Sequence, residues 1–372
     1  MSDPIIQGCI ALTHVPGIGS VTARRLLAHF PDPSEIFKIP KGKLLQVEGV
    51  GQVLATALKQ EGSAALQKAD EVMRQCADRK ITVLTLGHEA YPSRLKEIPD
   101  APIVLYTAGQ APQEPKRSLA IVGTRKNTAY GKRITQEVVH ALKEADVTIV
   151  SGLAFGIDTY AHKAALDCGL PTFAVLATPL DKVYPAQNRD LAIEIFKRGR
   201  LYSEYAPTAP VDARNFPMRN RIIAGLADAT LVVEAGESGG ALITATLAQD
   251  YDREVFAVPG KLGDVASVGC LNLIADNKAA IFTSVEAMLT AIGWEGGQPP
   301  IKAAPKLPTS LTESERQLME TLLITGGMHI DELSVRTGVG LNVLAGLLLK
   351  LEFDGLVRPL PGKRFAPAMS IL

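Results

Sequence analysis

Short apolar runs alternate with longer amphipathic stretches through the middle of the chain. Runs at 119–122, 147–150, 172–176, 201–202, 231–233 and 255–258 are rich in β-branched or apolar residues. Between them, stretches such as 130–144 and 157–168 carry apolar residues at helical spacing. Strands alternating with helices pair in parallel through right-handed crossovers, which predicts a doubly wound, mostly parallel, Rossmann-like α/β sheet. Several of the strands show little internal alternation, as strands do when helices cover both faces. Two further apolar runs, 81–86 and 103–106, precede this pattern and flank Tyr91-Pro92-Ser93-Arg94-Leu95.

The two ends read differently. Residues 1–69 form an N-terminal domain of helices broken by glycine pairs, with a weak repeat: Val15-Pro16-Gly17-Ile18-Gly19 and Val47-Glu48-Gly49-Val50-Gly51, each before a helical pattern. These resemble paired helix-hairpin-helix (SAM-like) turns. Such glycines expose consecutive amides at a helix start, where a duplex phosphate can dock, or they merely make a tight turn. The central domain spans 70–292. Residues 293–308, with three glycines and four prolines, read as a linker. In 309–372 a helix start at Leu311-Thr312-Glu313, dense leucines over 341–351 and two strand-like runs around Pro361-Gly362 suit a winged helix. Its helix 341–352 offers mainly Asn342 and Lys350 to a groove, which favours a protein-contact or weak DNA role over sequence reading.

Composition narrows the class. The 372 residues are 47% apolar, and 39 basic residues balance 39 acidic ones, so a globular chain is expected and not a disordered one. The charges are also balanced within each segment, so a nucleic-acid site has to be a local patch and not a polycationic domain. No eighteen-residue apolar stretch predicts a membrane span, and the first twelve residues lack the basic segment of a signal peptide. Cys9, Cys76, Cys168 and Cys270 are far apart with no CxxC, which argues for free thiols in a reducing cytoplasm over zinc or disulfides.

Ligands of such sheets sit beyond the carboxyl ends of the strands. The candidate site therefore gathers Gly123, Thr124 and Arg125 after the first strand of the alternating pattern, and Ser151, Gly152, Phe155 and Gly156 after the second. Later loops add Arg214, Phe216, Arg219, Asn220 and Arg221, then Ser238 and Gly239. Small residues admit an anion to the backbone, helix starts supply donors, and guanidinium forks suit phosphate oxygens. Phe216 among arginines fits a stacking platform for an unpaired base, or else a core position. Tight turns alone would explain Gly152 and Gly156. Asp158 and His162, four apart at a helix start, read as a dipole-favoured acid and a packed histidine more readily than as a metal or acid–base pair. No GxGxxG, P-loop, GxSxG or HExxH is present. No catalytic residue, metal or cofactor is therefore expected.

The middle of the chain resembles the DNA-processing protein A family (DprA, also called Smf). The resemblance rests on Ala120-Ile121-Val122-Gly123-Thr124-Arg125, on the block from Ser151-Gly152-Leu153-Ala154-Phe155-Gly156 to His162, and on Leu180-Asp181-Lys182-Val183-Tyr184-Pro185. Asn215-Phe216-Pro217-Met218-Arg219-Asn220-Arg221, Ser238-Gly239-Gly240-Ala241 and Ala257-Val258-Pro259-Gly260 continue it in the family's order. Thr178-Pro179, where the family usually has a glycine before Leu-Asp, is a departure. The resemblance implies a cytoplasmic bacterial protein that binds single-stranded DNA in natural transformation. It further implies a homodimer formed through the Rossmann-like domain, and loading of the RecA recombinase onto the strand. By the same resemblance Arg125, Phe216, Arg219 and Arg221 are DNA contacts, and Ser151, Gly152 and Gly156 are donors to phosphate. An alternative is a nucleoside-monophosphate phosphoribohydrolase-like enzyme on a related sheet. Such enzymes carry Pro-Gly-Gly-x-Gly-Thr and a following glutamate, where this chain has Ala235-Gly236-Glu237-Ser238-Gly239-Gly240-Ala241.

Overall fold

The computed structural model describes residues 3–294, except 113 and 262, and 311–368, except 326 and 361. The chain divides into two units, Met1–Gly297 and Gln298–Leu372. The expected linker lies, from residue 295 onward, outside the described residues.

The first unit is built on nine strands: β1 Thr82–Thr85, β2 Val104–Gly109, β3 Arg117–Val122, β4 Val147–Ser151, β5 Thr172–Leu176, β6 Arg200–Ser203, β7 Ala229–Val232, β8 Glu254–Ala257 and β9 Ala280–Ile281. Their spatial order is β1-β2-β6-β5-β4-β3-β7-β8-β9. From β6 to β9 all neighbours are parallel, while β1 and β2 extend one edge antiparallel. Residues two apart on a strand share a face. Ala120 and Val122 accordingly join a core with Ile222, Ile223 and Ala245, under the helices Asn215–Gly225 and Gly240–Asp250. Leu119 and Ile121 join Val138, Val139, Ala161 and Ala165 on the other face, under Ala129–Ala141 and Ile157–Cys168. Both faces are buried, so β3 is apolar at four successive positions, Leu119 to Val122.

The helical front is a separate core packed along the edge of the sheet. Helix Gln52–Asp78 buries Ala55, Leu58, Gly62, Ala65, Ala69, Val72 and Cys76, a stripe of three- and four-residue steps. This one helix crosses the expected domain boundary at residue 69, and its core also takes in Val104 and Tyr106 of β2. The two glycine turns of the repeat face each other. A Cβ on Gly17 (φ +83°) would strike Leu54, and one on Gly49 (φ +82°) would strike Arg25. Each turn therefore packs against the helix that follows the other.

The second unit is a winged helix. Helices Glu313–Thr325, Ile330–Thr337 and Leu341–Phe353 surround Leu318, Leu322, Leu333, Leu344 and Leu348, and strands Met328–His329, Arg364–Pro367 and Val357–Leu360 form its sheet. Its first helix opens on a reciprocal capping box: Thr312 N–H donates to the Glu315 carboxylate at 2.8 Å, and Glu315 N–H to Thr312 Oγ1 at 3.4 Å. Among the described residues no single helix is long and apolar enough to cross a membrane.

Candidate nucleic-acid interface

The strand order reverses beside β3. The chain runs from β3 outward through β4, β5 and β6, then returns to place β7 on the other flank. Loops leaving β3 and β7 diverge, and a crevice opens at their carboxyl ends, the position where open α/β sheets hold ligands. A cleft of about 1000 Å³ lies there. Gly123, Thr124, Arg125 and Lys126 line it from the β3 loop, Ser238 and Gly239 from the β7 loop, and Phe216, Arg219 and Asn220 from helix Asn215–Gly225.

Two kinds of group meet at the cleft. The Arg125 guanidinium stands 5.7 Å above the Phe216 ring centre, and Tyr184 meets the same ring edge-on at 5.3 Å and 74°. Phe155 and Tyr184, both exposed, border a small recess that shares Arg125 and Phe216 with the cleft. Opposite, helix Gly240–Asp250 begins with no side-chain cap, and Gly239 (φ +150°) turns the chain into it. Its first amides are therefore open donors beside small side chains, an arrangement suited to an anion. Asn220 Nδ2 donates to Gly240 O at 3.0 Å and ties this helix start to the arginine-bearing helix.

Arg219 reaches the cleft from underneath. It is buried, with Nη1 donating to Gly152 O at 2.6 Å and also to Val175 O. Gly152 is required here because a Cβ would fall 2.6 Å from the guanidinium. Gly152 N–H in turn donates to Asp158 Oδ2 at 3.1 Å, and Ala154 N–H to the same oxygen at 3.3 Å. One residue, through its two flanking peptides, thus links a buried cation to a buried carboxylate. Burial pushes the Arg219 guanidinium down to about 10, against the pull of Asp158 and helped by Arg125; burial likewise raises Asp158, against Arg219. Each charge makes the burial of the other tolerable.

Several expected donors have other duties. Ser151 is buried and its hydroxyl donates to Ile121 O at 2.7 Å, so it faces the sheet and not a ligand. The Gly152 amide belongs to Asp158, as described. Gly156 (φ +79°) lets the β4 loop touch the β3 loop, since a Cβ would run into Thr124 O. Arg221 lies on the back of its helix. Two residues at 100° each turn it about 200° from Arg219. There its side chain, 4% exposed, pairs with Glu204 and donates to Asp100 O at 2.7 Å. Arg214 stands on the surface in a two-pronged pair with Asp212. Asp158 and His162 do not meet: His162 Nδ1 contacts Thr172 Oγ1 at 2.7 Å, and burial pushes the imidazole down to about 3. Among the described residues no group of three or more His, Cys, Asp or Glu is placed to hold a metal. Tyr184 and Lys126 have no role in the sequence pattern. Tyr184 comes from the loop after β5, and nothing in its spacing signals that it meets Phe216.

Comparison with known proteins agrees with this architecture. The family model described as DNA recombination-mediator protein A matches residues 82–293, the DprA winged helix domain matches 302–363, and the SAM-like helix-hairpin-helix tandem matches 10–62. Protein Smf of Synechocystis is 34% identical over 96% of this chain and 97% of its own length. DNA processing protein DprA of Bacillus subtilis is 37% identical over 68% of this chain and 84% of its own. The crystal structure of DNA processing protein A from Streptococcus pneumoniae superposes with a TM-score of 0.65 at 30% identity, covering 78% of this chain and 98% of that one. A structure of the Helicobacter pylori protein, described by its single-stranded DNA binding mode, superposes with a TM-score of 0.52 at 28% identity over 57% and 95%. With a family match over more than half its length and a full-length relative above 30% identity, this chain belongs to the DprA/Smf family of DNA-processing proteins.

Proposed function

We propose that this protein binds single-stranded DNA along the cleft between the β3 and β7 loops. The observation that carries this reading is the convergence, in the cleft and the recess adjoining it, of the Arg125 guanidinium over Phe216, the edge-on Tyr184 and the uncapped start of helix Gly240–Asp250. Aromatic faces take unpaired bases of any sequence, while guanidinium and open amides take the phosphates between them. A duplex keeps its bases stacked and cannot use the aromatic part. Arg125, Phe216, Tyr184, Ser238 and Gly239 are the contacts, and Arg219 with Asn220 shapes the floor. The Helicobacter pylori relative, described by how it binds single-stranded DNA, supports the assignment.

The wider role follows the family. The protein acts as a homodimer through its Rossmann-like domain and delivers the strand to the RecA recombinase in natural transformation. Binding, and not hydrolysis, suits the cleft, because the one carboxylate among its lining residues, Asp158, is buried and already accepts two amides. Fluorescence anisotropy with labelled oligonucleotides tests the core claim. Single strands are expected to bind more tightly than duplexes of equal length, with affinity falling as salt rises. Equal affinity for both forms, or release of base from a nucleoside monophosphate, would overturn it. Sedimentation of the protein alone reads the dimer, and RecA-dependent strand pairing with and without the protein reads the delivery.

A further inference from the structure

The loop that presents Arg125 is held at both ends by one residue outside the cleft lining, Glu234. It lies two residues beyond β7 and is completely buried. Its carbonyl accepts the Thr124 N–H at 2.7 Å, next to Arg125. Its carboxylate accepts the Thr128 N–H at 2.9 Å and also the Thr128 hydroxyl, three residues past Arg125. Thr128 is the N-cap of helix Ala129–Ala141, and its Oγ1 accepts from Gly131 N–H at 3.2 Å. Gly131 has no alternative there, because a Cβ would overlap the Glu234 carboxylate. The carboxylate thus sits at the positive end of that helix, and its partners are a peptide and a hydroxyl hydrogen, not a cation.

A fully buried carboxylate is costly unless its hydrogen bonds do something for the fold. The strand ends of β3 and β7 are already registered by their ladder, in which Val122 pairs with Val232. The added hydrogen bonds restrain only the loop 124–128, which carries Arg125 and Lys126 into the cleft. We infer that Glu234 is a positioning residue for DNA binding, a staple that closes the 124–128 loop and so sets the Arg125 guanidinium over Phe216. This rests on the proposed role of Arg125, and it adds a residue that never touches the strand.

The test compares Glu234→Gln, Arg125→Ala and the double variant in the full chain, with oligothymidylate as the probe. Glu234→Gln keeps the shape, removes the charge and replaces one acceptor with a donor. It is expected to weaken oligothymidylate binding about tenfold, the size of one lost hydrogen bond to a charged group. In the Arg125→Ala background the same change is expected to alter affinity less than about twofold, because the loop then has no guanidinium to place. Hydrogen exchange at the Thr128 amide is expected to quicken in Glu234→Gln, while the Thr124 amide, held by the Glu234 backbone carbonyl, is expected to change less, a contrast that a general loss of stability would not produce. Thr128→Ala is a second variant with the same expected pattern, and Thr128→Ser is expected to restore wild-type affinity. Unchanged affinity in Glu234→Gln, an equal loss in both backgrounds, or unchanged exchange at the Thr128 amide overturns the staple. Wild-type affinity in Arg125→Ala instead overturns the reading of the cleft, and the exchange measurement still reports whether Glu234 holds the loop.

Discussion

Arg219 and Arg221 stand two positions apart in one helix, yet the structure assigns them opposite duties, and Arg221→Met exposes the difference. Arg221 is 4% exposed and its guanidinium meets the Glu204 carboxylate, itself about one-fifth exposed; it also donates to Asp100 O at 2.7 Å and to Ser20 Oγ at 3.2 Å. Methionine replaces the aliphatic stem and deletes the charge. Among the described residues Glu204 then keeps a single short-range partner, the Ser20 hydroxyl at 3.2 Å. Breaking a buried pair from one side costs about 3 kcal/mol, since the surviving charge loses its compensation. Spread over a unit of this size, that lowers the melting temperature by roughly 6–12 °C. The assay pairs thermal melting with anisotropy titration of a labelled single strand, at a temperature where both proteins are folded. The variant is expected to melt early and bind normally. The double change Arg221→Met with Glu204→Gln is expected to recover part of the loss, because the Glu204 charge goes with its cation and only the more exposed Asp100, 4.0 Å from Arg221, loses a partner. An unchanged melting curve with weaker, less salt-sensitive binding would return Arg221 to the cleft and refute the argument from helical geometry.

Other outcomes follow from the same contacts. Arg125→Ala is expected to flatten the plot of log affinity against log salt by about 0.7, the share of one phosphate contact on a single strand, with the melting temperature unchanged; a steeper or unaltered slope contradicts the assignment. Tyr184→Ala and Phe216→Ala are each expected to cost about 1–3 kcal/mol of single-strand affinity with little change in salt slope, as loss of a stacked base does, whereas a changed slope with intact affinity would argue against stacking. His162 is neutral in the fold because burial holds it at about 3, while the unfolded chain takes up the proton near the ordinary imidazole value of 6.5. The unfolded state therefore binds more protons below that value, and stability is lost as pH falls from about 6.5 toward 3, amounting to about 2 kcal/mol by pH 5. Urea titrations at pH 7 and pH 5 measure it, and a His162→Gln variant is expected to lose that part of the slope; an identical slope in both proteins excludes His162 as its source.

The local pattern along the chain determined much of this molecule. Leu119, Ala120, Ile121 and Val122 are apolar in succession because helices cover both faces of β3, and that requirement is visible in one dimension. The turn residues Gly123, Gly239 and the two hairpin glycines are likewise legible, because backbone angles and close approach constrain residue type locally. The same holds for the capping box of the winged helix, whose two partners are three residues apart. What only tertiary structure decided is which way a side chain points and whom it meets. A loop ending in arginines looks like one basic patch, but helical rotation sends Arg221 to Glu204 while Arg219 goes under the cleft floor. Ser151 reads as a hydroxyl at a strand end, yet it spends its hydrogen on Ile121. Tyr184 joins Phe216 across 32 residues of sequence, and Glu234 reaches Thr128 across 106. Such pairings depend on the order of strands in the sheet, which brings β3 and β7 side by side. Periodicity reports what a residue does to its neighbours along the chain, and a site is made by neighbours across it.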